Sequence, residues 1–389
     1  MSLIIWFIIA ITLTAVTSGC TVKQKNIVPG AEQTTLIRKA LAGKRTGLIV
    51  NQSSRVGDMH LIDALQAEHI DVVKLFAVEH GIRGTQDAGG TVDDSYDKTS
   101  QLPIISIYGK KKAPSEHDIQ DLDVLVFDLQ DVGVRFFTYL SSLHYIMDSC
   151  AQNNIPLIVL DRPNPNGSYI DGPILEPAFQ SFVGMHTIPL LHGMTLGELA
   201  KMINGEGWLT GGLTCDLTVI PVKNYTHADA YVLPIKPSPN LPNQQAVTLY
   251  PSLALFEATN ISVGRGTDFP FQVLGGTHKE YGNFTFTPKP TPGAALNPKL
   301  NGQLLYGTDF RQAKISGLNI DLFISWYAQA KELEQPLLIY PDWLDKLMGT
   351  DTFRGQLEAG LSAEEIRASW KQPLDAFKIR RELYLLYPS

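Results

Sequence analysis

From Thr34 onward, short apolar runs alternate with stretches of helical spacing. Residues 46–50, 72–78, 104–108, 123–129, 156–160 and 217–222 are brief and rich in Val, Ile, Leu and Phe, the composition of buried strands. Between them, residues 35–41, 60–69, 115–120, 139–152 and 195–204 carry helical periodicity. Ser115 with Asp118, and Thr195 with Glu198, stand at capping-box spacing and mark two helix starts. Strands separated by helices of this length predict an α/β fold built on a doubly wound, mainly parallel sheet.

The pattern changes after Val222. Residues 234–242, PIKPSPNLP, are too proline-rich for regular structure and read as an ordered loop or hinge. Mixed strand and helix patterns follow, including Phe284 to Phe286 and helices near 321–332 and 363–370. With 389 residues the chain is long for one core, so we divide it into 34–228 and a smaller α+β domain over 229–389.

The N-terminus carries its own signal. Residues 3–16 are apolar but too short to span a bilayer comfortably, and they match a signal-peptide core in length. Thr17, Ser18 and Gly19 before Cys20 resemble a lipobox, although Thr17 stands where Leu is usual and no Lys or Arg precedes the apolar run. Residues 1–20 therefore read as a lipoprotein-type signal with Cys20 lipidated, and 21–33 as a tether. The expected location is the cell envelope, on a membrane facing the periplasm; a cleaved secretory signal is the alternative.

Charge and cysteines narrow the partners. The net charge is −7, and the one basic run is Lys110 to Lys112, so nucleic acid is excluded as a partner. Besides Cys20 only Cys150 and Cys215 remain, with no CxxC pair and no zinc spacing. They read as buried thiols, with a disulfide open in an oxidising compartment.

Polar residues cluster where the strands end. Asn51 and Gln52, Glu79 and His80, Asp128 and Asp131, and Asp161 and Arg162 each follow an apolar run. In a parallel sheet these ends share one edge, so separate segments converge on one crevice. The chain has no GxSxG elbow, Walker loop, HExxH, or GxGxxG after the first strand, which argues against a nucleotide cofactor. A carboxylate-rich, aromatic-lined cleft suits glycoside hydrolysis, in which a carboxyl group protonates the leaving oxygen. Nearby arginines suit an anionic substrate group.

The residues also carry a family resemblance. Residues 79–84 (EHGIRG), 128–135 (DLQDVGVR) running on to Thr138 and Tyr139, 161–165 (DRPNP), 192–195 (HGMT), 238–242 (SPNLP) and 262–268 (SVGRGTD) occur in order. Together they resemble the bacterial exo-β-N-acetylmuramidases of glycoside hydrolase family 171. Val78 departs from the proline often found there.

The resemblance implies a Rossmann-like domain without a dinucleotide loop, a C-terminal auxiliary domain and a cleft between them. It implies no cofactor, no bound metal, and muropeptides and other N-acetylmuramic-acid-terminated saccharides of peptidoglycan as partners. By the resemblance Glu79 is the general acid, His80 its support, and Asp128 or Asp131 the second catalytic group, unless the substrate's 2-acetamido group attacks. Arg265 is the first candidate for the lactyl carboxylate, followed by Arg83 and Arg135. Tyr139, Asp161, Asn240 and Glu257 complete the expected binding set. Two rival readings are a non-catalytic muropeptide-binding lipoprotein and a metal-dependent hydrolase using His80, His192 and the aspartates.

Overall fold

The computed structural model describes residues 26–83 and 95–388; Cys20 and Gly84 lie outside them. Strands β1 (Thr46–Val50), β2 (Val72–Ala77), β3 (Ser95–Tyr96), β4 (Pro103–Ser106), β5 (Val124–Asp128), β6 (Leu157–Leu160) and β7 (Leu217–Ile220) make one seven-stranded sheet. Their order is β7-β6-β5-β1-β2-β4-β3, and every neighbouring pair is parallel except β3 with β4. The sheet is the Rossmann-like, doubly wound α/β architecture expected from the sequence.

Period-two alternation explains why both faces are covered. On β1, Leu48 and Val50 join one apolar cluster while Ile49 joins the other; on β5, Val124 and Val126 oppose Leu125 and Phe127. Ile37, Leu41, Leu61 and Leu65 from the helices Thr34–Leu41 and Leu61–Ala67 cover the first face. The helices Tyr139–Asn153 and Leu196–Gly205 cover the second. Both expected capping boxes form, Ser115 with Asp118 and Thr195 with Glu198.

The second half adds a three-stranded antiparallel sheet, with Leu305–Asp309 between Val273–Gly276 and Phe284–Phe286. Helices Gln244–Leu253, Ile320–Glu332, Pro341–Met348, Thr352–Glu358 and Ala363–Arg381 make up the rest of this half. The last of these runs through Pro373, well past the end near residue 370 that the sequence pattern suggested. Its buried residues Phe377 and Arg381 hold the turns that a proline in an isolated helix would loosen. Among the described residues no helix is long and apolar enough to cross a membrane.

One apolar cluster extends from Phe76 and Phe127 of the main sheet to Phe256, Phe323 and Trp370 of the second half. The chain end returns to the first half: Tyr387 donates its hydroxyl to Asp161 (2.6 Å) and accepts the Val222 N–H (2.8 Å). Cys150 and Cys215 are buried free thiols.

At the edge where the strand order reverses, Arg162 forms a bidentate ion pair with Asp128. Nε donates to Oδ1 at 2.5 Å and Nη2 to Oδ2 at 2.8 Å, both residues being buried. Removing one partner strands the other charge in a dry site. We expect Arg162→Met to cost about 3–5 kcal/mol of unfolding free energy, and Asp128→Leu combined with Arg162→Met to cost less than the single change. Urea unfolding midpoints check the order.

Candidate active site

The Glu79 turn follows from its local sequence. Strand β2 ends at Ala77, and Val78 is still buried. The Gly81 N–H then donates to the Val78 carbonyl (3.0 Å), with His80 (φ 71°) and Gly81 (φ 70°) both in the left-handed region. Glycine takes that conformation easily; a histidine takes it only when held. Ser238 Oγ lies 3.1 Å from His80 Nε2 and supplies such a hold. The reversal leaves the Glu79 side chain half-buried at the sheet edge.

A cleft of about 1380 Å³ opens there, between the sheet edge and the second half of the chain. Glu79 Oε1 accepts the Tyr108 hydroxyl and Oε2 accepts the Thr138 hydroxyl, each at 2.8 Å. Burial and the neighbouring Glu79 push the Tyr108 phenol well above its ordinary range, so it stays a donor. Across the cleft, Arg265 Nε donates to Glu257 Oε1 (2.7 Å), and the guanidinium lies 4.9 Å from the Phe271 ring centre. Lys299 lines the same wall and donates to the carbonyls of Phe256, Glu257 and Thr259. Burial lowers its ammonium to about 8.

Of the residues singled out in the sequence, Glu79, His80, Tyr139, Asn240, Glu257 and Arg265 line this cleft. Asn240 donates its amide to the Ala294 carbonyl (2.8 Å). Tyr139 is almost fully buried behind the lining, and its hydroxyl accepts from Asn51 (2.7 Å) and donates to the Pro237 carbonyl (3.3 Å). Five others lie outside the lining. Asp128 is spent on Arg162. Arg83 pairs with Asp97 (2.8 Å) and lies 3.9 Å from Asp63.

Arg135 is buried and donates to the carbonyls of Pro173, Ile188, Leu347 and Met348, and burial lowers it to about 9. Asp161 accepts from Thr195, the Gly197 N–H and Tyr387, bracing the chain end. Asp131 accepts the Gly133 N–H (2.6 Å) beneath the cleft wall. These corrections share one cause: most polar groups at a strand end are consumed in holding the adjoining loops. His192 is likewise buried outside the lining, and burial with Arg135 and Arg381 lowers it to about 3. Among the described residues no three His, Cys, Asp or Glu side chains are grouped to hold a metal ion.

The profile described as Exo-beta-N-acetylmuramidase NamZ, N-terminal, matches residues 46–245, and its C-terminal companion matches residues 248–387. The chain belongs to the NamZ exo-β-N-acetylmuramidase family. Peptidoglycan beta-N-acetylmuramidase NamZ of Bacillus subtilis strain 168 is 36% identical over 382 residues, spanning 90% of this chain and 88% of that protein. A DUF1343 family protein from Bacteroides fragilis has a crystal structure 42% identical, with a TM-score of 0.83 over 94% of this chain and 99% of its own. A second from the same organism is 28% identical, with a TM-score of 0.79 over 94% of this chain and 100% of its own.

Three cleft residues of this NamZ family member escaped the sequence reading. Tyr108 follows β4 and obeys the same strand-end logic as Glu79, so that signal was present. Thr138 stood inside a quoted motif with no role assigned. Lys299 lies in a loop after Pro298, and nothing in its spacing points to the cleft.

Asp131 generates a testable pH dependence. Burial pushes its carboxyl from 3.8 up to about 7, against opposing hydrogen bonds from the Gly133 and Val132 amides. Between these values the folded chain keeps a proton that the unfolded chain releases, so stability falls as pH rises from about 4 to about 7. Asp131 contributes about 4 kcal/mol of decline at most, and Asp131→Asn removes that share, leaving the part from Asp161, which burial pushes up to about 6. Urea unfolding across that pH range measures the slope.

Proposed function

We propose that this chain is an exo-acting glycoside hydrolase that releases N-acetylmuramic acid from the non-reducing end of peptidoglycan fragments, with Glu79 as general acid. The observation that carries this reading is the Glu79 carboxyl in the cleft, each oxygen held by a hydroxyl donor. Membership of the NamZ family, and the relative named for peptidoglycan β-N-acetylmuramidase activity, supply the substrate class.

Glu79 delivers its proton to the glycosidic oxygen as the bond to the anomeric carbon breaks. Tyr108 and Thr138 fix the direction of delivery and then donate to the carboxylate that forms, stabilising the charge left behind. The second role does not fall to Asp128, which is sealed in its ion pair, or to Asp131, which lies outside the lining. Glu257 shares the cleft but is held by Arg265. This favours attack on the anomeric carbon by the substrate's own 2-acetamido oxygen, a route that needs no second free carboxylate.

Arg265 presents the remaining guanidinium N–H groups to the lactyl carboxylate, with Lys299 adding positive charge to that wall. Asn240 and Tyr139 are buried and shape the cleft wall behind the sugar. The N-terminal signal motif adds a lipid anchor at Cys20, placing the enzyme where cell-wall fragments are turned over and recycled.

Glu79→Gln is expected to lower kcat by about 10²–10⁴-fold on a muramic-acid-terminated disaccharide, with folding unchanged by circular dichroism. A binding protein without turnover would show neither wild-type release nor a Glu79 effect. Arg265→Gln is expected to lower kcat/KM on that substrate by about tenfold or more, and to leave a glucosamine-terminated analogue unaffected. Equal losses on both would remove the carboxylate assignment. Cys20→Ala should move the protein from the membrane to the soluble fraction.

A further inference from the structure

A second recess, of about 350 Å³, opens beside the cleft on the far side of Phe182. Ser181 and Phe182 line both spaces, and His144, Tyr145, His186 and Trp208 line the recess alone. The dividing segment is built firmly: Ser181 and Gly184 exchange backbone hydrogen bonds of 2.8 and 3.0 Å. The Phe182 ring centre lies 6.2 Å from that of Tyr108, the residue that holds Glu79, and 6.3 Å from that of Tyr145. Aromatic surface therefore runs without a break from the acid into the recess. Lys112 caps the dividing ring, its ammonium 3.9 Å from the Phe182 centre.

The inner wall is unusual for a packed core. His186 stacks on Trp208 with centres 4.8 Å apart and 28° between planes, and its Nε2 lies 3.0 Å from His144 Nδ1. His186 is 2% exposed, yet its Nδ1 has no hydrogen-bond partner among the described residues. A buried polar atom left unpaired costs stability. Burial, with His144 and His192 nearby, lowers His186 to about 3, and burial also lowers His144, so the pair is neutral. Among the described residues no carboxylate, lysine or arginine lines the recess itself; Arg380 stands behind it, 5.8 Å from the Trp208 ring centre and donating to the Thr187 carbonyl. The opposite wall of the cleft, with Arg265 and Lys299, is cationic.

We propose that this recess is a subsite for an uncharged N-acetylated sugar on the leaving-group side of the scissile bond. The proposal rests on the glycosidase reading above. A pyranose offers apolar C–H faces to the accessible parts of Tyr145, Phe182 and Trp208. The charge division sorts the two sides: the anionic muramic unit goes to the Arg265 wall and its neutral neighbour to the aromatic recess.

The test compares two substrates in wild type and in Tyr145→Ala and Trp208→Ala, both changes at half-buried positions. One is 4-nitrophenyl N-acetylmuraminide, whose leaving group is no sugar; the other is N-acetylmuramyl-chitobiose. Each variant should lower kcat/KM on the saccharide by about tenfold and alter the nitrophenyl glycoside by no more than about twofold. Equal losses on both substrates, or no loss on either, overturn the subsite. Chitobiose alone should quench wild-type tryptophan fluorescence, and this response should vanish in Trp208→Ala. If wild type cleaves neither glycoside, the glycosidase reading fails, whereas Trp208-dependent chitobiose binding still supports the recess as a sugar site. Absence of that binding overturns it.

Discussion

The bidentate pair between Arg162 and Asp128 is the constraint around which this molecule is arranged. Asp128 closes β5, Arg162 follows β6, and the same guanidinium donates to the Arg55 carbonyl beyond β1 at 3.1 Å. Three strand ends are thereby tied together at the point where the sheet reverses its order. In open α/β sheets that point is the usual ligand crevice. Here it is filled: Ser53 and Ser54 bond to the Gln130 N–H and the Asp128 carbonyl, and Gln52 reaches the Pro237 carbonyl at 3.1 Å. The proline-rich loop lies across the top. With the crevice closed, the open space moves outward to the end of β2, where Glu79 stands.

The cost of this arrangement is paid in buried polar groups that need partners. Arg135 meets four carbonyls and Asp161 meets Thr195, Tyr387 and a backbone amide, so these ionisable groups act as struts between loops. Asp161 joins the end of the chain to the first half, so the second half of the chain is bound to the sheet by polar contacts as well as by the shared apolar cluster. These contacts join the part of the chain that carries Glu79 to the part that carries Arg265.

The two sides of the cleft differ in electrostatic character. The sheet side offers hydroxyl donors and aromatic rings around one carboxylate; the other offers a guanidinium over Phe271 and a lysine whose ammonium burial lowers to about 8.

Much of this was legible in the chain alone. Alternating apolar faces on β1 and β5, and capping boxes at Ser115 and Thr195, are local signals, and they specified the α/β layering and the helix starts. The abrupt end of an apolar strand in Glu-His-Gly singled out Glu79, because a carboxylate there has no structural work as a turn former. Which other strand-end groups reach the cleft was decided only by tertiary structure. Asp128, Asp161 and Arg135 look from the sequence like Glu79's companions, but each met a partner far along the chain, at Arg162, Tyr387 and Leu347. Burial gives such long-range pairs their strength, and burial is a property of the packed whole. Lys299 and the His144–His186 recess were invisible for the same reason: their neighbours come together only when distant loops close over the sheet.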